Sequence, residues 1–225
     1  GDPVSAFGCI LGLNRTVDVI TAETITEPGH FVEAIIAPDY EQEAIEILTT
    51  KRKWGSGLRL LKTGTFSTTS FDVGSYDMKR VVGGMLLQQR DLSIYDPANL
   101  KIVTKKRPSE KEMADLRFAF TICKHVKSNS IVLAKDEAVI GIGAGQMSRI
   151  DSTEIAIKKA VSGTKGVVMA SDAFFPFRDS VDTAAKAGVI AIIQPGGSNK
   201  DDESIAAADE HEITMVFTGQ RHFRH

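Results

Sequence analysis

From Ser109 onward the chain alternates short apolar segments with segments of helical periodicity, and this alternation limits the fold more than any other feature. Ser109 and Glu112 have the S-x-x-E spacing of a capping box, which opens a predicted helix to about residue 126. Strands are predicted at 131–134 and 139–142, followed by a glycine turn and a helix over 149–161. Then come a strand at 167–170, a helix at 179–187, a strand at 189–194, a helix at 202–209 and a strand at 213–217. Strands separated by helices of this length imply crossover units and a mostly parallel sheet, hence an α/β fold. Val167, Val168 and Met169, like the run from Ile190 to Ile193, are apolar on both strand faces, as a sheet covered by helices requires.

Residues 1 to about 105 are less regular. Strands are expected at 10–13, 31–37, 58–61 and 81–88, and helices at 16–27 and from Asp39, with Asp39 as N-cap and Gln42 three residues on, to about residue 51. The run Lys105-Lys106-Arg107-Pro108 reads as a solvated connector, which gives an expected division into 1–108 and 109–225. No solenoid-length repeat is visible.

Apolar residues make up 42% of the 225 positions, enough for a core, and the net charge of −2 lacks the basic excess of a nucleic-acid binder. The two cysteines, Cys9 and Cys123, have no paired spacing and read as small buried apolar residues in a reducing compartment. No apolar run reaches the ~18 residues of a membrane span, and no leader-like segment opens the chain, so a soluble, cytoplasmic protein is expected.

Four stretches carry candidate chemistry. The turn at Gly141, Gly143 and Gly145 could offer backbone N–H groups to an anion at a helix N-terminus. It also admits a dinucleotide reading with Asp172 as the acidic partner, or a plain tight turn. The loop 171–179 places Phe174, Phe175 and Phe177 around Pro176 at the C-terminal end of a strand, where open α/β sheets bind ligands. There the rings could sandwich a heterocycle with Asp179 reading its N–H groups; equally, the loop could plug the core with Asp179 as an N-cap. The tail after 213–217 carries Arg221 and Arg224, suited to a phosphate, and His222 and His225, which with His211 lack a clean zinc pattern. Lys124-His125 is either an acid/base pair or a cationic helix C-terminus, the latter favoured. Asn129 opens a strand and, if buried, needs partners for both ends of its amide.

Together the run from Lys127 to Asn129, the turn from Gly141 to Arg149, the loop 171–179, the run from Gln194 to Ser198 and the ending from Phe217 to His225 resemble the aminoimidazole carboxamide ribonucleotide (AICAR) formyltransferase family; the opening from Asp2 to Gly8 does too. In that family the transformylase is joined to an inosine monophosphate (IMP) cyclohydrolase domain. The resemblance implies two similar subdomains of cytidine-deaminase-like α/β/α layers without zinc. Residues 1–108 would end the first subdomain with its connector, and 109–225 would be the second. It implies formyl transfer from 10-formyltetrahydrofolate to AICAR in purine biosynthesis, with no metal needed, by an intertwined homodimer whose sites lie between subunits. Asp2 and Asn129 would contact the carboxamide, Asn129 also orienting the formyl group. Arg149 and Phe174 would line the nucleotide site, Arg221 would hold the phosphate, and Phe174, Phe177 and Asp179 would face the folate. The family's own Lys-His pair precedes the point where this sequence starts, so Lys124-His125 does not inherit that role, and the cyclohydrolase domain is not represented. The chain alone is therefore expected not to turn over. The competing reading is a nucleotide- or folate-binding module without catalysis.

Overall fold

The computed structural model describes residues 1–65 and 76–224. The chain forms two compact units, Pro3–Met78 in one and Gly1–Asp2 with Lys79–His225 in the other. Among the described residues, the strands are β1 Cys9–Gly12, β2 Val32–Ala37, β3 Arg59–Lys62, β4 Tyr76–Val81, β5 Gly84–Gln89, β6 Lys101–Ile102, β7 Ile131–Lys135, β8 Ala138–Gly143, β9 Val168–Ser171, β10 Ala191–Gln194 and β11 Thr214–Phe217. The helices are α1 Val19–Ile25, α2 Gln42–Thr50, α3 Glu110–Cys123, α4 Arg149–Lys159, α5 Asp179–Ala187 and α6 Asp201–Glu210. The boundary between the units falls inside β4, which among the described residues pairs only with β5. Where one strand was expected at 81–88 there is this two-stranded ribbon, turned at Val82 and Gly83, because Gly83 adopts a φ of 87° that favours glycine.

The smaller unit holds a parallel sheet in the order β1-β2-β3. Its core joins Ile35 and Ala37 to Ala22 and Ile25 of α1 and Ala44 and Leu48 of α2. Asp39 is not the N-cap of α2: that position is Glu41, which makes no side-chain cap bond, while the Asp39 carboxylate takes the Tyr40 N–H and the Lys62 ammonium instead.

The larger unit is built on a six-stranded sheet in the order β6-β11-β10-β9-β7-β8. β9, β10 and β11 are parallel, and β6, β7 and β8 join antiparallel, so the sheet is mixed. Side chains alternate between two cores. Met169, Ile192 and Met215 pack with Ala156, Val181, Ala184 and Ala207 of α4, α5 and α6. Val168, Ala170, Ala191, Ile193 and Val216 pack with Leu116, Ala119, Phe120 and Cys123 of α3. The expected capping box is present: the Ser109 hydroxyl accepts from the Glu112 N–H and the Glu112 carboxylate from the Ser109 N–H. The connector is more than a solvated linker. The Lys105 N–H donates to Asp209, the Lys106 ammonium donates to the Glu212 carbonyl, and buried Thr104 accepts from the Met215 N–H.

Candidate functional site

Strand direction gathers the candidate residues of the larger unit at one edge of its sheet. β9, β10 and β11 run parallel, so the loops after Ser171, Gln194 and Phe217 leave from the same side. β7 runs against β9 with Ile131 opposite Ser171, which brings Asn129 to that side. β8 runs against β7 with Gly143 opposite Ile131, which brings in the glycine turn. Ligands bind at such edges in open α/β sheets.

Asn129 is held on every side. Its Nδ2 donates to the carbonyls of Gln146 (2.9 Å) and Met147 (3.0 Å). Its Oδ1 accepts from Arg149 Nη2 at 2.9 Å, and its backbone carbonyl accepts from Ser152 Oγ at 2.8 Å. Both amide protons are used, and one acceptor site on Oδ1 remains. Arg149 is the first residue of α4 and is buried. Its Nη1 donates to Ser171 Oγ (2.8 Å) and to the fully buried Asp172 carboxylate. An ion pair at this depth holds only when its charges are matched and hydrogen-bonded, and here the pair also carries Asn129.

This pairing removes the dinucleotide reading, because Asp172 is buried on a guanidinium. The glycines have a different cause. A Cβ on Gly141 would strike the Ala156 carbonyl oxygen, and one on Gly143 the Ser152 carbonyl oxygen. They let β8 lie against α4, and only Gly145, with a φ of 66°, serves the turn itself.

The loop 171–179 is divided in its use. Phe175 is fully buried in the core, Phe174 is half-buried, and Phe177 is exposed with Lys200 Nζ 4.6 Å from its ring centroid. Asp179 is not an N-cap: it is the first residue of α5, after Arg178, and its carboxylate accepts from the Ser180 N–H. Arg178 turns away to Asp182 (2.9 Å) and Glu210.

The tail is docked. His222 is buried, while Arg221 beside it is exposed with its guanidinium 5.6 Å from the Phe223 ring. His211 pairs with Asp182 and His222 with Asp91; His225 lies outside the described residues. Among the described residues no group of three or more His, Cys, Asp or Glu is placed to hold a metal ion. Lys124 caps the C-terminus of α3 and donates to the Ser93 carbonyl (2.6 Å). Burial first, then the cations Lys124 and Arg224, push the His125 imidazole below the usual histidine range.

Asp2 stands apart from Asn129. It pairs with Lys159 at 2.7 Å, at the C-terminal end of α4, whereas Asn129 lies at its N-terminal end, about 15 Å away along the helix. Sequence reasoning missed Asp91 and the roles of Asp172 and His222. Asp91 has no local signal, since it meets His222 across 131 residues of chain. Asp172 carried a weak one, its place directly after a strand apolar on both faces, but its pairing with Arg149 is visible only in the fold.

Among described residues, no helix is long and apolar enough to cross a membrane. A family model described as AICARFT/IMPCHase bienzyme matches residues 1–159. The chain is 53% identical over 225 residues to the bifunctional purine biosynthesis protein PurH of Rhodopirellula baltica, covering 100% of this chain and 42% of that protein. It is 56% identical over 224 residues to the PurH of a Thermoanaerobacter species, again with 100% and 42% coverage. The PurH of Persephonella marina gives 53% over 227 residues, with the same coverage. The chain thus spans less than half the length of these relatives.

Proposed function

The chain belongs to the AICARFT/IMPCHase bienzyme family, and from that premise we propose that it forms part of the transformylase that moves a formyl group from 10-formyltetrahydrofolate to AICAR in purine biosynthesis. In this reaction the substrate amine attacks the formyl carbon, the bond from that carbon to folate N10 breaks, the amine loses a proton and N10 gains one.

The observation that supports this reading is the state of Asn129. Three side-chain bonds fix its amide, and the one acceptor site left on Oδ1 suits an N–H of the carboxamide or the attacking amine. Such a group orients a weak nucleophile without needing to move. Arg221 is exposed at the same edge and would hold the phosphate. Phe174, Phe177 and Asp179 would receive the folate, its flat ring taking the place of Lys200 on the exposed face of Phe177. We assign the residues 1–108 to the first transformylase subdomain with its connector and 109–225 to the second. The separation of Asp2 from Asn129 along α4 favours a homodimer in which Asp2 of a second copy completes the site. We expect the protein to act in the cytoplasm, without a metal.

The test is steady-state kinetics on a protein of the relatives' full length. Asn129→Ala is expected to lower kcat about ten- to a hundred-fold, because a charge-supported hydrogen bond to the reacting group is lost. Unchanged kcat would overturn the role of Asn129. Wild-type protein that binds both substrates without turnover would replace the proposal with the binding-module reading.

A further inference from the structure

We propose that His222 is a positioning residue for formyl transfer, aiming two parts of the site at once; the inference rests on the assignments just made. The ring is 2% exposed and is gripped from both nitrogens. Nδ1 meets Asp91 Oδ2 at 2.5 Å and Nε2 meets the Ile94 carbonyl at 2.6 Å. The two contacts hold the ring from different sides and so fix it in rotation and tilt. Phe120 packs on it with centroids 5.4 Å apart. The gripping segment is itself tied down, since Lys124 Nζ donates to the Ser93 carbonyl and Gln220 Nε2 meets Ser93 Oγ.

Two consequences run outward from the ring. The backbone N–H of His222 donates to the Asp172 carbonyl at 3.0 Å. The Asp172 side chain holds Arg149, and Arg149 holds the Asn129 amide. The clasp therefore sets the relay that orients Asn129. In the other direction, Arg221 is the next residue along an otherwise irregular tail. A long arginine defines a phosphate position only if its Cα is fixed, and the buried neighbour fixes it. Neither His222 nor Asp91 needs to touch substrate for this.

The experiment uses the full-length enzyme and five proteins: wild type, His222→Gln, Asp91→Ala, Phe120→Leu and Arg221→Ala. Kinetics are measured with the ribonucleotide, its dephosphorylated nucleoside and the formyl folate. His222→Gln cannot span both partners, and Asp91→Ala removes one. Each is expected to raise the nucleotide KM and lower kcat about ten-fold, with the folate KM within about two-fold of wild type. Phe120→Leu loosens the packing around the ring but keeps both bonds, and is expected to leave the ratio of the two KM values unchanged. Equal shifts in both KM values, or the same split in Phe120→Leu, would overturn the proposal. If His222→Gln does not fold, Asp91→Ala carries the test, because the histidine stays in place. Arg221→Ala separates the two readings. If it leaves the preference for the phosphorylated substrate intact, the phosphate assignment fails; if it abolishes that preference while His222→Gln and Asp91→Ala change nothing, only the positioning role fails.

Discussion

In the larger unit, β9, β10 and β11 are parallel and covered on both faces, by α3 on one and by α4, α5 and α6 on the other. In the smaller unit, β1, β2 and β3 follow the same path of strand, helix, strand, helix, strand, but among the described residues only the face toward Leu11, Ile35 and Leu60 is packed within the unit. On the opposite face Ile10, Ile36 and Leu61 are 72%, 37% and 48% exposed. The strands record the difference: β9 and β10 are buried at every residue, while β1 alternates. A shared chain path thus does not imply a shared energetic role for a strand residue; coverage decides it.

The largest expected contrast comes from one substitution at the two central strands. Ile193→Ala in β10 removes a fully buried side chain and is expected to cost about 2–5 kcal/mol. Ile36→Ala in β2 is expected to cost less than about 1 kcal/mol, because its side chain is already partly in water. Urea unfolding of both variants measures this, and equal losses would break the comparison.

A smaller contrast lies in the glycines. Gly143→Ala drives a Cβ into the Ser152 carbonyl oxygen and is expected to cost about 1–3 kcal/mol through displaced backbone. Gly57→Ala, in the smaller unit, meets nothing within 4 Å and should stay within about 0.5 kcal/mol. Thermal unfolding distinguishes them; a tolerant Gly143 would mean that α4 can move off β8.

The smallest effect is electrostatic. The hydrogen bonds from Arg178, supported by His211, hold the Asp182 carboxyl down to about 2 against the opposing effect of burial. A depressed carboxylate stabilises the fold above its unfolded value near 4, and that contribution is lost as pH falls toward about 2. Arg178→Ala should therefore flatten the stability profile across this window by about 1 kcal/mol or less, solvent screening included. In the smaller unit Lys62 lowers Asp39 likewise, but both are exposed, so Lys62→Ala should leave the profile unchanged. Urea midpoints measured at intervals from pH 5 to about 2 provide the check.

Much of the architecture was legible in the residues themselves. Periodicity placed the helices and strands from Ser109 onward, and the capping box fixed the start of α3, because hydrogen bonds between near neighbours are written into short spacings. The Phe-rich loop was legible as a feature, yet not the division of labour that buries Phe175 and exposes Phe177. The same spacing showed no repeat, although β1 to β3 and β9 to β11 follow the same chain path.

What the sequence determined was local: which segments are helix or strand, that strands apolar on both faces demand cover, and that Asn129, Arg221 and the glycine turn stand at element ends. What only the tertiary structure decided depends on partners far apart along the chain. Strand direction brought five segments to one edge of the sheet, the bulk of α4 rather than a ligand required Gly141 and Gly143, and Asp172 found its charge partner in Arg149. The clasp of His222 on Asp91 is the extreme case. The physical reason is range: caps and turns are settled by neighbours, whereas burial and ion pairing depend on which surfaces the folded sheet presses together.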